Sequence, residues 1–448
     1  MTDFSHRRFQ SMNLFTGCLL IGLVIALYIW RIKVIVGGAL VLALALLGLG
    51  LWQLYNYVHT RKKSKQGQVK PLWRHPLVVG LIELALGLAL ITQLKFVPLS
   101  FAILLGLYQL MMGLIGSLDY FLNWRDRTRN QWSQLVNTLL HLAFAVASLF
   151  LSNRIDHTLW RFMLYLLLLA LNFFYDSQYF SKRWGLTYQN RFVRTPLPLL
   201  LTVLMPYQLQ YKIQNFLAKD QSKQPEILQA FQSQSKFGET GQVEVFIHTS
   251  PYGFDRFGHA DIAFQGKVYS YGNHDADSRK LFEMIGDGVV LVADRQAYID
   301  FMTSRRITMI SFGIQLNAQE ETQLSQQIER LLGQLEKFEL TSAKQLATFV
   351  GIFSQSSSIA LYKFKQGLFK TYFVLGSNCV MFVDYLLQQT GIDILAFAGI
   401  MTPGSYYDYF NKEFHKADSK VVSKSLLNRD LLKRMQVQEG KHGENLYR

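Results

Sequence analysis

Cysteine is nearly absent from this chain: two, Cys18 and Cys379, in 448 residues. Two thiols cannot build a disulfide framework, and no cysteine–histidine spacing suits a zinc ion. Neither metal nor cofactor is therefore expected. Acidic residues are missing from one half only. Residues 1–219 hold 22 Lys and Arg against six Asp and Glu, whereas residues 220–448 hold 24 against 25. The whole net charge of +15 belongs to the first half. A nucleic-acid-binding domain would carry a basic surface of its own. Here the basic residues punctuate apolar runs, as juxtamembrane loops facing anionic lipid do. Membrane lipid, not nucleic acid, is the expected partner, and the sequence is silent on oligomeric state.

What is present is hydrophobic sequence, half of all residues. A helix needs about 20 apolar residues to cross a bilayer. Six stretches are close to that length: 12–30, 34–52, 77–94, 99–118, 135–151 and 158–175. The first follows a basic start without a small-residue cleavage site, so it reads as a retained helix rather than a signal peptide. Short loops at Arg31–Lys33, Lys95–Pro98 and Ser152–His157 join the six into three hairpins. Longer basic segments around Lys62, Arg127 and Arg183 separate the hairpins, and the positive-inside rule places those segments in the cytoplasm. The remainder of the chain would then be cytoplasmic as well. "TPLPLLLTVLMP", residues 195–206, reads as an interfacial segment; if it crosses the bilayer, the C-terminal half lies outside.

Gly37, Gly38, Gly48, Gly80, Gly87, Gly106, Gly113 and Gly116 predict close helix packing through small residues. Glu83 is the one acid deep in a span, with His141 as a polar group it could meet. Such an acid is a functional candidate by default, so a transport or stress-response role stands as an alternative. The hairpin rhythm over residues 12–180 resembles the HdeD-like six-helix membrane proteins, a resemblance that implies no catalytic site.

The second half reads as a soluble α+β domain. "VEVFIHTS" alternates as a strand, and "FGHADIAFQGKVYSYGNHD" reads as a hairpin turning at Gln265-Gly266. Ala260, Ile262 and Phe264 would share one face, and His259, Asp261 and Ala263 the other. A two-residue turn pairs Phe264 with Lys267 and, by counting, His259 with Gly272. Ser270 and His274 are then the side chains on the face of His259. A helix follows with the apolar stripe Leu324, Ile328, Leu331, Leu332 and Leu335. Another is expected in "GSNCVMFVDYLLQQTG", residues 376–391, ending at Gly391.

Ser377 or Asn378 is a natural N-cap, which places Cys379 in the first helical turn. The positive potential and exposed N–H groups there favour the thiolate, the nucleophilic form. Alone, a cysteine is most often a small buried hydrophobe. Paired with a strand-borne histidine it becomes the arrangement of papain-like thiol enzymes, here with His259 before Cys379 as in the circularly permuted branch. "NCVMFVDYLLQQTG" resembles the cysteine helix of lecithin:retinol acyltransferase-like proteins. The ordered set "FGH" (257–259), "YGNHD" (271–275), "IGDGV" (285–289) and "SNC" (377–379) is similar to the Lnb-type lipoprotein N-acyltransferase domain. That resemblance covers about residues 243–395. It implies Cys379 as the acyl-accepting nucleophile, His259 as the general base, and His274 or Asp275 as the group orienting the imidazole. Asn378 and Tyr271, beside these motifs, are the expected substrate contacts. Lnb-type enzymes work at the outer membrane face, whereas the charge pattern here points inward.

The sequence thus predicts a six-helix transmembrane domain (1–180), an interfacial segment and linker (181–240), a permuted papain-like catalytic domain (241–412) and a polar tail (413–448). The expected activity is a thiol acyltransferase or acyl hydrolase acting on a lipid or lipoprotein at the cell membrane. A cysteine peptidase or amidase would use the same dyad.

Overall fold

A computed structural model of the chain describes residues 2–61, 76–93, 97–128, 131–150, 155–179, 234–236, 241–249, 258–305, 307–388 and 403–427. The segment 195–206, Arg183, the linker residues 181–233 and Gly391 lie outside them, and so do the topology readings that depend on those positions. The chain divides into two compact units: Met1–Leu118 with Trp132–Leu186, and Asp119–Gln131 with Thr187–Arg448.

The first unit is helical. Leu, Ala and Ile dominate α1 (Thr2–Trp30), α2 (Ile32–Arg61), α3 (Pro76–Thr92), α4 (Val97–Arg125), α5 (Gln131–Leu149) and α6 (Ile155–Tyr179). Pro76 and Pro98 fall in the first turns of α3 and α4, where a missing N–H breaks no helical hydrogen bond. Arg31, at φ 47°, is the single residue separating α1 from α2. Among the described residues two helices are long and apolar enough to cross a membrane, over Ile32–Tyr55 and Ile103–Arg125, and the other four carry shorter apolar stretches. Their leucines and aromatics are largely exposed. Water would penalise that surface and lipid would not.

Packing in this unit departs from the hairpin reading. The most extensive contacts join α2 to α3 and α1 to α6, rather than α1 to α2. Small residues explain the first pair: a Cβ added at Gly80 would stand 3.0 Å from the Gly50 carbonyl, and one at Gly87 2.9 Å from the Ala43 carbonyl. Gly106, Gly113 and Gly116 of α4 likewise meet Leu149, Leu142 and Thr138 of α5. Gly37, Gly38 and Gly48 face open space. Glu83 accepts a hydrogen bond from Gln53 of α2 at 3.3 Å, so its partner is Gln53 and not His141, whose ring packs edge-on against Tyr165.

The second unit is built on one antiparallel sheet. Its strands are β1 (Gln234–Ser235), β2 (Val243–Thr249), β3 (His259–Phe264), β4 (Lys267–Gly272), β6 (Val289–Asp294), β7 (Thr308–Ile314), β8 (Leu335–Phe338), β9 (Ile359–Phe364) and β11 (Val421–Leu427), in the order β1-β11-β7-β2-β3-β4-β6-β9-β8. A separate pair joins β5 (Ile285–Asp287) to β10 (Thr371–Phe373). The Gln265-Gly266 turn has φ 49° and 74°, both positive as the tightest hairpins require, and it pairs Phe264 with Lys267 as the sequence predicts.

Helices cover both faces of the sheet. One face, with Ala260, Ile262, Tyr271 and Phe312, packs against α8 (Ala318–Leu332), α11 (Cys379–Leu387) and α12 (Pro403–Phe414). The other, with Ala263, Val268 and Leu291, packs against α7 (Arg295–Ser304) and α10 (Phe349–Ser356); α9 (Ala343–Leu346) leads into α10. Leu324, Ile328 and Leu331 form the buried stripe of α8. That helix stops at the Gly333 cap, so Leu335 opens β8 instead of extending the stripe.

The largest correction concerns residues 413–427. The expected polar tail is here the end of α12 followed by β11, which lies inside the sheet between β1 and β7. Its polarity misled because only Val421 and Val422 are fully buried, the remaining side chains of the strand being partly exposed. Residues Gln234–Ser235, expected in the linker, form the edge strand beyond it.

Candidate active site

Cys379, the candidate nucleophile, sits at a helix start. Asn378 caps α11 in extended conformation, its Oδ1 accepting from the Met381 N–H at 3.0 Å and its Nδ2 donating to the Val374 carbonyl at 2.9 Å. Cys379 is therefore the first helical residue. It is buried against the core, with the unsatisfied N–H groups and positive end of the helix dipole around it. Beyond the cap, Val380, Val383, Leu386 and Leu387 hold the helix on the sheet.

His259 opens β3 directly after Gly258, whose φ of 89° is a conformation that favours glycine. The His259 ring lies within electrostatic reach of Cys379. The His259 Nε2 lies 3.1 Å from the Ser270 hydroxyl and 2.9 Å from Asp261 Oδ1. The Asp261 contact is off the hydrogen-bonding direction, so the carboxylate acts on the ring mainly through its charge. Burial alone would lower the His259 pKa, but the Asp261 carboxylate and the neighbouring Cys379 outweigh it and hold the imidazole well above its usual value.

Asp261 is wholly buried, yet three polar groups surround it. Besides His259, the Tyr298 hydroxyl donates to its Oδ2 at 2.7 Å, and His248 Nε2 lies 2.7 Å from the same oxygen. Burial pushes its pKa up, and the charges of His259 and His248 override that and hold it well below the usual carboxylate range. A buried charge persists only when paired in this way.

The group against the His259 ring is thus Asp261, and neither of the two residues expected there. His274 stands one step away, its Nε2 3.5 Å from the Ser270 hydroxyl and its ring centroid 6.3 Å from that of His259. Burial, reinforced by the charge of His259, pushes its pKa down to about 3, so it is neutral. Asp275 is turned elsewhere: it accepts from Lys363 Nζ at 2.6 Å, Gln345 Nε2 at 2.7 Å and the Asp277 backbone N–H at 3.0 Å. Tyr271 is buried on the opposite face of the sheet, donating to the Phe369 carbonyl at 3.0 Å and stacking on Phe382 at 5.1 Å. Of the two expected substrate contacts, Asn378 shapes the helix start and Tyr271 the core beneath it.

The signal for Asp261 was on the page of the sequence. Two residues along a strand is the same face, and the hairpin register sets Ser270 opposite Asp261. His248 is different: it joins the site only because β2 pairs with β3 so that His248 faces His259. Among the described residues no group of three or more His, Cys, Asp or Glu is arranged to hold a metal ion. A thiol, an imidazole and a buried carboxylate in series are the parts of nucleophilic catalysis.

Comparison with known proteins reaches only the stretch from α3 to α5. The family described as a short repeat of unknown function (DUF308) matches residues 78–150, which run from α3 to the end of α5. This agrees with the HdeD-like resemblance of the first half. No curated protein and no solved structure matches the chain.

Proposed function

We propose that the chain is a membrane-embedded thiol acyltransferase or acyl hydrolase, with six transmembrane helices and a permuted papain-like catalytic domain. The observation that carries the proposal is the series Cys379, His259, Asp261, with the thiol at a helix N-terminus and the carboxylate 2.9 Å from the ring. The Cys379 thiolate attacks the carbonyl carbon of a lipid ester, forming a C–S bond. As the tetrahedral intermediate collapses, the ester C–O bond breaks and the His259 imidazolium donates its proton to the departing alkoxide. The Cys379 backbone N–H holds the oxyanion. His259, now neutral, takes a proton from an amine or from water. That acceptor displaces the thiolate, and the acyl group leaves as an amide or a fatty acid. Asp261 keeps the ring oriented and stabilises its protonated form throughout.

Lipid or lipoprotein is the substrate class because the same chain carries lipid-facing helices. The basic segments between the helices favour a cytoplasmic catalytic domain in the cell membrane, and an external one if residues 195–206 cross. Release or transfer of an acyl chain from phospholipid vesicles by the purified full chain tests the proposal. Wild type should be active and Cys379→Ser inactive; equal turnover by the two proteins would refute it.

A further inference from the structure

Among the described residues from 234 to 427, only Leu281, Phe282 and Leu346 leave a large apolar side chain exposed. Phe282 is 89 % exposed, more than any other large hydrophobic described in the chain, the lipid-facing helices included, and Leu281 is 55 % exposed. The two are adjacent at the tip of a tight loop. A bridge between Lys280 and Ile285 closes it, and Met284 N–H donates to the Leu281 carbonyl at 3.1 Å.

Leu281, Phe282 and Glu283 all have positive φ, 48°, 55° and 67°. Three successive non-glycine residues in that region are unfavourable. A loop that merely connected two strands would have no need of them. The conformation has one evident product: it presents Leu281 and Phe282 away from the domain.

The loop is tied to the segment that carries His274 and to the cap of the Cys379 helix. On the histidine side, Asn273, next to His274, donates through Nδ2 to the Glu283 carbonyl at 3.1 Å, and Arg279 Nε donates back to the Asn273 carbonyl at 3.1 Å. On the cysteine side, Val374 N–H donates to the Met284 carbonyl at 3.1 Å, and the Val374 carbonyl accepts from Asn378, the cap of the Cys379 helix. Lys280 is exposed at the base of the loop. Arg279 lies 3.4 Å from Glu283 and offsets the one acid there.

We propose that the Leu281–Phe282 tip is a membrane-dipping element that sets the catalytic mouth in the interfacial layer of the bilayer. An aromatic and a leucine at the tip enter the acyl boundary, while Lys280 at the base meets lipid phosphates. Cys379 then encounters the ester of a phospholipid or lipidated protein without the acyl chain having to cross water. The insertion stands on its own; the choice of ester as the bond presented rests on the acyl-transfer reading above.

The test uses the full chain with Cys18→Ser and Cys379→Ser, so that one introduced cysteine carries an environment-sensitive dye. The labelled protein is reconstituted in phosphatidylcholine–phosphatidylglycerol vesicles, with and without lipid bearing a nitroxide near its headgroup. Dye at Phe282→Cys should emit at shorter wavelength and be strongly quenched. Dye at Lys337→Cys, an exposed site on β8, should do neither. Equal, water-like behaviour at the two positions would overturn the proposal. In the otherwise native chain, Phe282→Ser should lower the ratio of vesicle-borne to soluble ester turnover by about tenfold, the order of effect expected from losing one buried aromatic side chain. An unchanged ratio would overturn the delivery role. Dye quenching needs no catalysis, so an inert wild type would count against the acyl reading and leave the insertion to be decided by the dye.

Discussion

The two units of this chain solve opposite problems with the same amino acids. In the helical unit the large hydrophobics point outward, and glycines let the helix backbones approach within about 3 Å of an added Cβ. In the sheet unit nearly every large hydrophobic among the described residues is inside, and the polar groups that accompany them are in mutual contact: His259, Asp261, His248, Tyr298, Ser270, His274. The difference teaches where chemistry can be supported. A helix in lipid satisfies its own backbone and has little to spare for a polar site. A sheet between two helical layers can enclose a charged group and surround it with donors.

The comparison breaks most visibly at the proposed nucleophile. Cys379→Ser should abolish acyl turnover, and His259→Ala should come close to doing so, while Cys18→Ser in the helical unit should leave it unchanged. Turnover on a fluorescent phospholipid measures all three. Next come the residues behind His259. Asp261→Asn should lower kcat by about a hundredfold or more, because the ring loses its orienting charge. His274→Asn should cost much less, and Asp275→Asn should act only through stability, through the lost contacts to Lys363 and Gln345. A mild Asp261→Asn and a crippling Asp275→Asn would mean that the orienting carboxylate has been misassigned.

The units should also differ in their response to acid. His274 is held neutral in the folded state with a pKa near 3, against about 6.5 unfolded. Between those values the unfolded chain binds the extra proton, so stability falls as pH drops through that window. Asp261, with its pKa depressed, adds to the same trend at the acid end, as its charge is lost when pH falls through its folded value. His259 acts oppositely. Its raised pKa contributes stability that is complete below about pH 6.5 and lost as pH rises through the folded value. The thermal midpoint of the sheet unit, followed by near-ultraviolet circular dichroism, should therefore fall from pH 7 to pH 5, and His274→Gln should flatten that slope.

The smallest effects lie in the helical unit. Gly113→Val would place its Cβ 2.5 Å from the Leu142 side chain and should cost about 1–3 kcal/mol by overpacking. Gly37→Ala faces open space and should stay within about 0.5 kcal/mol. Denaturation in detergent micelles distinguishes the two, and equal values would mean that α4 and α5 do not pack as described.

How much of this was legible in the sequence followed from how local each signal is. The six helices and the Gln265-Gly266 hairpin are written in neighbouring residues and were readable. So were Cys379 behind its Asn378 cap and His259 on its strand. Asp261 was also local, two residues from His259, but the resemblance of "YGNHD" to a known motif drew attention to 271–275. His248, Tyr298 and β11 were not readable, because each enters through a pairing or packing between distant segments. In β11 the usual apolar alternation is also missing, since the strand buries only its first two side chains fully.

Intact-protein mass spectrometry after brief exposure to phospholipid vesicles reaches the central claim with the fewest steps. Wild type should gain the mass of one acyl chain, mapped to Cys379 and cleaved by hydroxylamine to the acyl hydroxamate and free thiol, as a thioester is. His259→Ala should accumulate far less of it. An acyl adduct that persists in Cys379→Ser, or no adduct on a wild-type protein that is turning over lipid, would contradict thiol catalysis at this site.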